Sequence, residues 1–241
     1  MPAALKSDAF LLRATKYGEA DQILTLYTRA LGKCSCLAKN SRLSRQRFGS
    51  ALQPFCKFEA LLRTRPSGLG FLESALPLKS WPSLLDNLER IGGGYRLLEL
   101  ADSLEETGAV HAEFFDALEM GLSNLACSEF VDEAVLRSEA RFLLLAGWAP
   151  RLDACVSCRR EAPFARPRLS LSEGGLLCGD CRTEGSWMSL GAGCGQALQR
   201  LFGGQAGSVF PAKEALRRFV EYQLGKSLKS ESFERSLREA L

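Results

Sequence analysis

The chain has 241 residues, of which 46% are hydrophobic and 24% charged, and its formal net charge is +3. This length allows at least one full core and two or three small domains. It contains no run of eighteen apolar residues, and its first ten residues lack both a basic stretch and an apolar stretch. These features exclude a membrane-spanning helix and predict a soluble, cytoplasmic protein without a membrane partner.

The charges are unevenly distributed along the chain. Residues 1–80 contain 13 Lys or Arg against 5 Asp or Glu, residues 81–150 contain 4 against 13, and residues 151–241 contain 14 against 10. A basic first segment followed by an acidic one is typical of a polyanion-binding domain attached to segments with other roles.

Short apolar runs separated by turn signals fill the first 80 residues. The clearest runs are residues 10–12, 23–27, 34–38 and 58–62, and none is long enough for a stable helix. Gly18, Gly32 and the 66–68 segment separate them at hairpin-like intervals. We predict about five strands, the number found in a small OB-type barrel. A generic small β-domain is the alternative.

The hydrophobic period becomes helical after residue 80. One stripe starts behind Pro82, at Leu84, Leu88, Ile91, Tyr95 and Leu98, and a second comprises Val110, Phe114, Leu118, Leu122 and Leu125. A third lies between Val131 and Leu145, and the tail from Pro211 is also helical in pattern. The run Gly92-Gly93-Gly94 predicts a break or bend in the first of these helices. The sequence around Gly191, Gly193 and Gly195 is interpreted as a loop.

Four of the nine cysteines form two matched pairs. Cys155 and Cys158 are followed, after nineteen residues, by Cys178 and Cys181. Paired Cys-x2-Cys turns present four thiolates to one tetrahedral ion, which predicts a structural Zn²⁺ site with no open position for substrate. The remaining cysteines fit buried thiols better than a disulfide framework.

Enzyme signatures are weak. His111 and Glu113, with a later Cys-x2-Cys, imitate a zinc deaminase signature. Ala154 stands where that signature has proline, and the second cysteine pair would have no task. His111 is the only histidine, and Gly225-Lys226-Ser227 lacks the first glycine of a phosphate-binding loop. We therefore predict a protein that is not an enzyme and has no small-molecule substrate.

The segment from Arg29 to Arg65 is basic, because it contains nine Lys or Arg and a single acidic residue, Glu59. We predict that DNA phosphates contact five of these side chains, with the first in a supporting role: Lys33, Lys39, Arg42, Arg45 and Arg47. Four aromatic residues are interleaved with them and are either base-stacking platforms or barrel core: Tyr27, Phe48, Phe55 and Phe58. For Phe55 and Phe58 we favour the core.

Several motifs, by their order and spacing, make the chain resemble the RecO family of bacterial recombination mediators. The motifs are YGEADQILTLYT at 17–28, LGK at 31–33, AKNSR at 38–42, RFG at 47–49, LQPF at 52–55, GWAP at 147–150 and GKSLKS at 225–230.

The resemblance implies a multidomain α+β protein. It would have an N-terminal OB-fold barrel at 1–80, a helical domain at 81–150 and 183–241, and a four-cysteine zinc insertion at 151–182. Glu19 and Asp21 would belong to the barrel scaffold. A Gly92–Gly94 interruption is not expected from the family.

The resemblance also implies a function in DNA repair and homologous recombination. The protein would bind single- and double-stranded DNA and anneal complementary strands. It would help load the recombinase RecA onto DNA coated with single-strand-binding protein, together with RecR and in some cases RecF. Its location would be the bacterial cytoplasm, at the nucleoid during repair. A generic OB and zinc-ribbon protein that binds RNA is the alternative.

Overall fold

A computed structural model describes residues 4–64 and 69–231, apart from the side chain of Arg45. The contacts divide the chain into two compact units, Met1–Cys127 and Ser128–Leu241. The first unit therefore joins residues 1–80 to part of the acidic segment that follows. The domain boundaries at 80, 150 and 182 stay a prediction.

A closed five-stranded barrel forms the first part of unit 1, which confirms the predicted OB-type architecture. The strands close in the order β1-β2-β3-β5-β4, and only the β3–β5 pair is parallel. A short helix, α1, lies between β3 and β4. The bounds are β1 Ala4–Tyr17, β2 Asp21–Thr28, β3 Gly32–Ala38, α1 Arg45–Phe48, β4 Cys56–Arg63 and β5 Gly70–Ser80.

The barrel core is built by side chains that alternate along the strands. In β4 every second residue from Cys56 is buried, as the two-residue period of a strand with one apolar face requires. Leu24 and Leu26 of β2 meet Phe58 and Leu72 inside the barrel. The strands were predicted from short apolar runs, and the alternating burial along each strand shows which side faces inward.

Two helices of the acidic segment follow the barrel within unit 1. A 3₁₀ helix at Pro82–Leu85 precedes α2, Leu88–Leu104, and α3 spans Ala112–Cys127. The Asn87 side chain caps α2 by accepting a hydrogen bond from the Arg90 amide at 2.8 Å.

The predicted break at Gly92-Gly93-Gly94 is wrong, because α2 is continuous through all three glycines. The glycines are buried, and a Cβ on Gly94 would lie 2.5 Å from the Phe55 ring. Close packing therefore explains Gly94, since any larger residue would displace the ring. The predicted stripe is also only partly the buried face, because Leu88 and Tyr95 are exposed.

The named elements in the described part of unit 2 are helices and the strands of one sheet. Its bounds are α4 Val131–Leu145, β6 Arg168–Ser170, β7 Gly175–Leu177, β8 Trp187–Ser189, α5 Cys194–Phe202, a 3₁₀ helix at Phe210–Ala212, and α6 Lys213–Leu224. The sheet order is β7-β6-β8.

Helix α5 was not predicted, and the loop interpretation of the glycine-rich stretch is partly wrong. Gly193, at φ +74°, is the N-cap of α5, and Gly195 is buried in its first turn. Among the described residues, no helix combines the length and the apolar composition that crossing a bilayer requires.

Candidate metal centre and nucleic-acid interface

The four paired cysteines converge on one point in unit 2. Their Sγ atoms all lie within 4.8 Å of one another. The Cys155 and Cys181 sulfurs are 3.9 Å apart, and the Cys158 and Cys178 sulfurs are 3.8 Å apart. Tetrahedral thiolate coordination at about 2.3 Å per bond places sulfur atoms about 3.8 Å apart. The four side chains are therefore positioned to hold a metal ion.

Backbone contacts form the turn that presents the first cysteine pair. The Cys155 amide donates to the Arg160 carbonyl at 2.8 Å, and the Arg159 amide donates to the Cys155 carbonyl at 2.9 Å. Arg159 has a φ of +61°, which closes this tight turn.

Two arginines connect the cysteine turns to each other and to the sheet. Arg160 forms an ion pair with Asp180 at 2.7 Å, which links the first turn to the second. Arg168 of β6 donates to the carbonyls of Cys178, at 2.7 Å, and Cys181. Its guanidinium carbon lies 4.9 Å from the centre of the Trp187 ring. The second pair is thus held by the three-stranded sheet.

The protein environment favours thiolate at Cys155. Burial opposes ionisation of this thiol, but the backbone N–H groups of Cys178, Cys158 and Ser157 stabilise the charged sulfur and lower its pKa to about 6. The Cys178 amide lies 3.5 Å from the Cys155 sulfur. Because thiolate is the form that binds metals, this arrangement suits a metal site.

His111 does not belong to this centre. Among the described residues, the group that could hold an ion consists of the four cysteines. The His111 Nδ1 atom lies 3.4 Å from the buried carboxylate of Glu105, which also accepts a hydrogen bond from Tyr27 at 2.9 Å. Burial, followed by this hydrogen bond, raises the pKa of Tyr27. His111 therefore belongs to a polar contact between the barrel and the segment that follows α2.

Two sets of basic side chains on the barrel differ in their partners. We call the first the helix-facing set, because each member lies within 4.0 Å of a carboxylate on α2 or α3. Lys57 and Lys79 share Glu119, at 2.8 and 3.3 Å, and Lys33 pairs with Asp102 at 3.5 Å. The members are Arg13, Arg29, Lys33, Lys57 and Lys79.

Lys33 also donates to the Asp102 carbonyl, and only 15% of its side chain is exposed. The structure therefore separates Lys33 from the other residues that were predicted to bind DNA.

The second, loop-side set consists of Lys39, Arg42 and Arg47. Within residues 4–64 and 69–231, no carboxylate lies within salt-bridge distance of these three side chains. Arg42 donates to the Glu19 carbonyl at 2.7 Å, and Arg47 donates to the Lys39 carbonyl at 2.6 Å. The Arg45 backbone begins α1 beside them, but its side chain lies outside the described part of the structure.

The loop that carries this set is held against the β1–β2 turn. The Asn40 amide donates to the Asp21 carboxylate at 2.8 Å, and the Arg42 amide donates to the Ala20 carbonyl at 3.2 Å. Asp21 thus has the scaffold role that the resemblance implied. The predicted phosphate-binding loop is consequently ordered by the barrel itself.

The aromatic residues interleaved with the basic segment are core. At most 2% of each is exposed, for Tyr27, Phe48, Phe55 and Phe58 alike. The core interpretation is therefore correct for all four, and none can stack on a base. Two aromatics that were not singled out, Tyr17 and Phe71, lie instead on the outer surface of the barrel.

The fold and the cysteine centre together define a class of protein: an OB-type barrel with a helical body and a segment whose four cysteines could hold a metal ion. Comparison with known families places the chain within that class. The sequence model described as "Recombination protein O N terminal" matches residues 1–81, and "Recombination protein O C terminal" matches residues 85–232. The chain belongs to the RecO family of DNA repair proteins.

Relatives named DNA repair protein RecO are similar along nearly their whole length. The one from Anaeromyxobacter sp. (strain Fw109-5) is 35% identical over 248 residues, covering 97% of this chain and 96% of the relative. The one from Anaeromyxobacter dehalogenans (strain 2CP-C) is 36% identical over 245 residues, covering 95% of each. The one from Moorella thermoacetica is 31% identical over 252 residues.

Proposed function

We propose that this chain is a recombination mediator that acts on DNA without catalysis of its own. It binds single- and double-stranded DNA, anneals complementary strands, and helps load a recombinase onto DNA coated with single-strand-binding protein. Its partners are RecR and in some cases RecF, and it works in the cytoplasm at the nucleoid. Family membership supports this role, and the observation that carries it is the loop-side set of cations.

The loop-side arginines are well arranged to hold phosphates. Each guanidinium has five N–H donors in a rigid fork. Arg42 uses one of its donors on the Glu19 carbonyl, and Arg47 uses two on Ser44 and Lys39. The remaining donors are available to phosphate oxygens, and the carbonyl contacts hold the guanidinium groups in place before DNA binds. Lys39 and Arg45 complete the proposed phosphate-binding group.

The acidic helices direct DNA toward this side of the barrel. Asp102, Asp116 and Glu119 pair with the helix-facing set, so the positive charge on that side of the barrel is reduced and attracts a polyanion less strongly. Cations without a carboxylate partner attract phosphates more strongly, because no ion pair must be broken first. Annealing follows when two strands are held near one another and their phosphate repulsion is neutralised.

The four-cysteine centre holds a structural Zn²⁺ in this proposal. The residues fit the ion by donor type and spacing, and four thiolates complete its coordination shell. The segment around Cys155 and Cys178 has only a small apolar cluster of its own, so an ion would supply much of its stability.

The zinc assignment is tested by metal analysis of purified variants. Cys181→Ala should lose bound zinc and the ordered structure of residues 151–182, measured by atomic emission and by protease sensitivity of that segment. His111→Ala should retain both. Loss of zinc from the histidine variant, with retention in the cysteine variant, would contradict the four-thiolate site and favour the deaminase arrangement.

The mediator role is tested by annealing complementary strands coated with single-strand-binding protein. The intact chain should accelerate annealing, and an Arg42→Ala/Arg45→Ala/Arg47→Ala variant should not. A variant that loses equal charge from exposed positions in unit 2, Arg141→Ala/Arg182→Ala/Lys226→Ala, is the matched control. Binding to bare strands without annealing would reduce this protein to a generic single-strand-binding module.

A further inference from the structure

A continuous line of side chains crosses the outer surface of the barrel. Strand register places Thr15 of β1 opposite Ile23, Ile23 opposite Leu37, and Leu37 opposite Phe71 of β5. Paired residues on neighbouring strands project from the same face of a sheet. These four residues therefore form one row across four strands.

The row faces away from the core. Its members alternate with Leu24, Cys36 and Leu72, which belong to the cluster inside the barrel. Ile23, Leu37 and Phe71 are only half-buried, and Thr15 is exposed. The row is thus an apolar strip on the outside of a sheet whose other face is already packed.

An aromatic ring is present at each end of this strip. Phe71 ends it on β5. Tyr17 lies two residues beyond Thr15 on the same face of β1, and it is 54% exposed. Three strand spacings of about 4.8 Å separate β1 from β5, or about 14 Å along the curved sheet. That span is shorter than an extended strand of the roughly 4–16 nucleotides that one OB fold covers, so the strip is long enough for only part of such a strand.

The loop-side cations border the same strip. Lys39 directly follows β3, two residues after Leu37, and its Nζ lies 5.7 Å from the centre of the Phe71 ring. Arg42 is bonded to the Glu19 carbonyl in the turn directly after Tyr17. At the opposite end of this face, Lys33 pairs with Asp102 of α2. The end of the face that carries the strip thus lies beside the loop-side cations.

We propose that this strip is the track for the bases of single-stranded DNA, with Tyr17 and Phe71 as its two stacking platforms. Lys39 and Arg42 hold the phosphates along its edge. Aromatic rings beside a basic groove are the combination that binds single strands without sequence preference, because every base has a face that can stack. The inference rests on the proposed DNA binding and assigns the bases, rather than the phosphates, to named side chains.

The experiment uses the full chain and a single-stranded DNA of about 16 nucleotides containing 2-aminopurine, whose fluorescence falls when it stacks on an aromatic ring. Tyr17→Leu and Phe71→Leu each remove a ring while keeping an apolar side chain. Tyr17→Phe keeps the ring. Tyr222→Leu removes a comparably exposed tyrosine, 44% exposed, from unit 2 and is the control.

Tyr17→Leu should weaken binding roughly 5- to 150-fold, the range expected for the loss of one stacked base. The salt dependence of binding should stay unchanged, since no cation is removed. Quenching of 2-aminopurine should be lost, whereas Tyr17→Phe and Tyr222→Leu should behave like the intact chain. Phe71→Leu should give the same loss at a different nucleotide position. Because Phe71 is half-buried, its result counts only if the circular dichroism spectrum is unchanged.

Two results would overturn the inference in distinguishable ways. If both leucine variants bind and quench like the intact chain, while Arg42→Ala/Arg47→Ala binds weakly, the bases do not use this strip but DNA binding stands. If the intact chain itself shows no salt-dependent binding to single strands, the proposed function fails together with the track.

Discussion

The helix-facing and loop-side cations of the barrel both come from residues 1–80 but differ in what they contact. Lys57, with 16% of its side chain exposed, lies between Glu119 and Asp8. Arg42 is exposed and contacts a backbone carbonyl instead of a carboxylate. The first kind of cation contributes to the cohesion of the folded unit, and the second is available to a ligand.

This difference teaches that the density of basic residues along a chain overstates the size of a polyanion site. Thirteen Lys or Arg lie in residues 1–80, but five of them are paired with carboxylates on α2 and α3. Those carboxylates come from the acidic segment 81–150, so the opposite charges of the two segments partly cancel in the folded structure.

The largest expected effect is a difference in DNA affinity between variants of the loop-side set and variants of the helix-facing set. We expect Arg42→Ala/Arg47→Ala to weaken binding to single-stranded DNA on the order of 10- to 100-fold. The slope of log affinity against log salt should fall by about 1.4, because each phosphate contact on a single strand contributes about 0.7. Fluorescence anisotropy over a salt series measures both quantities.

Arg29→Ala/Lys79→Ala is the matched control, since it removes the same charge from the helix-facing set. It should change affinity less than about 3-fold, because these side chains already have carboxylate partners. Equal losses in the two double variants would show that pairing with the helices does not withhold cations from DNA.

A smaller effect should appear in the stability of unit 1. Glu119→Gln leaves Lys57 without its closest counter-charge, and we expect a cost of about 1–2 kcal/mol in the free energy of unfolding. Urea unfolding in a Trp148→Phe/Trp187→Phe background reports this unit through Trp81. Glu113→Gln, at an exposed acid in the first turn of the same helix, should cost less, on the order of 0.3–0.5 kcal/mol from the lost interaction with the helix dipole.

The contribution of the Glu119 carboxylate to the stability of unit 1 depends on pH. Partial burial opposes ionisation of Glu119, but the hydrogen bonds and charges of Lys57 and Lys79 outweigh it and hold its pKa below the usual 4.5. The stabilisation is therefore complete above about pH 4.5 and is lost as the pH falls through the lower pKa of the folded state. A stability difference between Glu119→Gln and the intact chain that stays constant below pH 4 would disprove this assignment.

Much of this fold could be predicted from local patterns. The short apolar run at 58–62 predicts a strand, and β4 contains it. The two Cys-x2-Cys turns predict their own convergence. Gly94 could not be interpreted in this way. Glycine is needed at position 94 because the Phe55 ring packs against it in the fold, and Phe55 lies 39 positions earlier in the sequence.

The candidate DNA site was harder to predict for the same reason. Phe48 and Tyr17 are both aromatic residues near basic loops, yet one is 1% exposed and the other 54%. Sequence spacing indicates that a strand has two faces but not which face a later helix covers. The partners of Lys33 and Lys57 lie on helices more than 60 residues away, so their pairing has no local signal.

The smallest expected effect concerns Lys33, which belongs to the basic segment by sequence and to the helix-facing set by structure. Its ammonium group is held by the carboxylate and the carbonyl of Asp102, so DNA could recruit it only by breaking both contacts. We expect Lys33→Ala to change affinity for single-stranded DNA less than about 2-fold and to leave the salt slope unchanged.

Lys39→Ala, six residues further along, is the comparison, because it removes the same charge from the loop-side set. It should lower the slope by about 0.7. If Lys33→Ala lowers the slope as much as Lys39→Ala does, then DNA competes successfully with Asp102. The α2 contact would in that case be a part of the interface that opens on binding, and the division between the two sets would hold only for the protein without DNA.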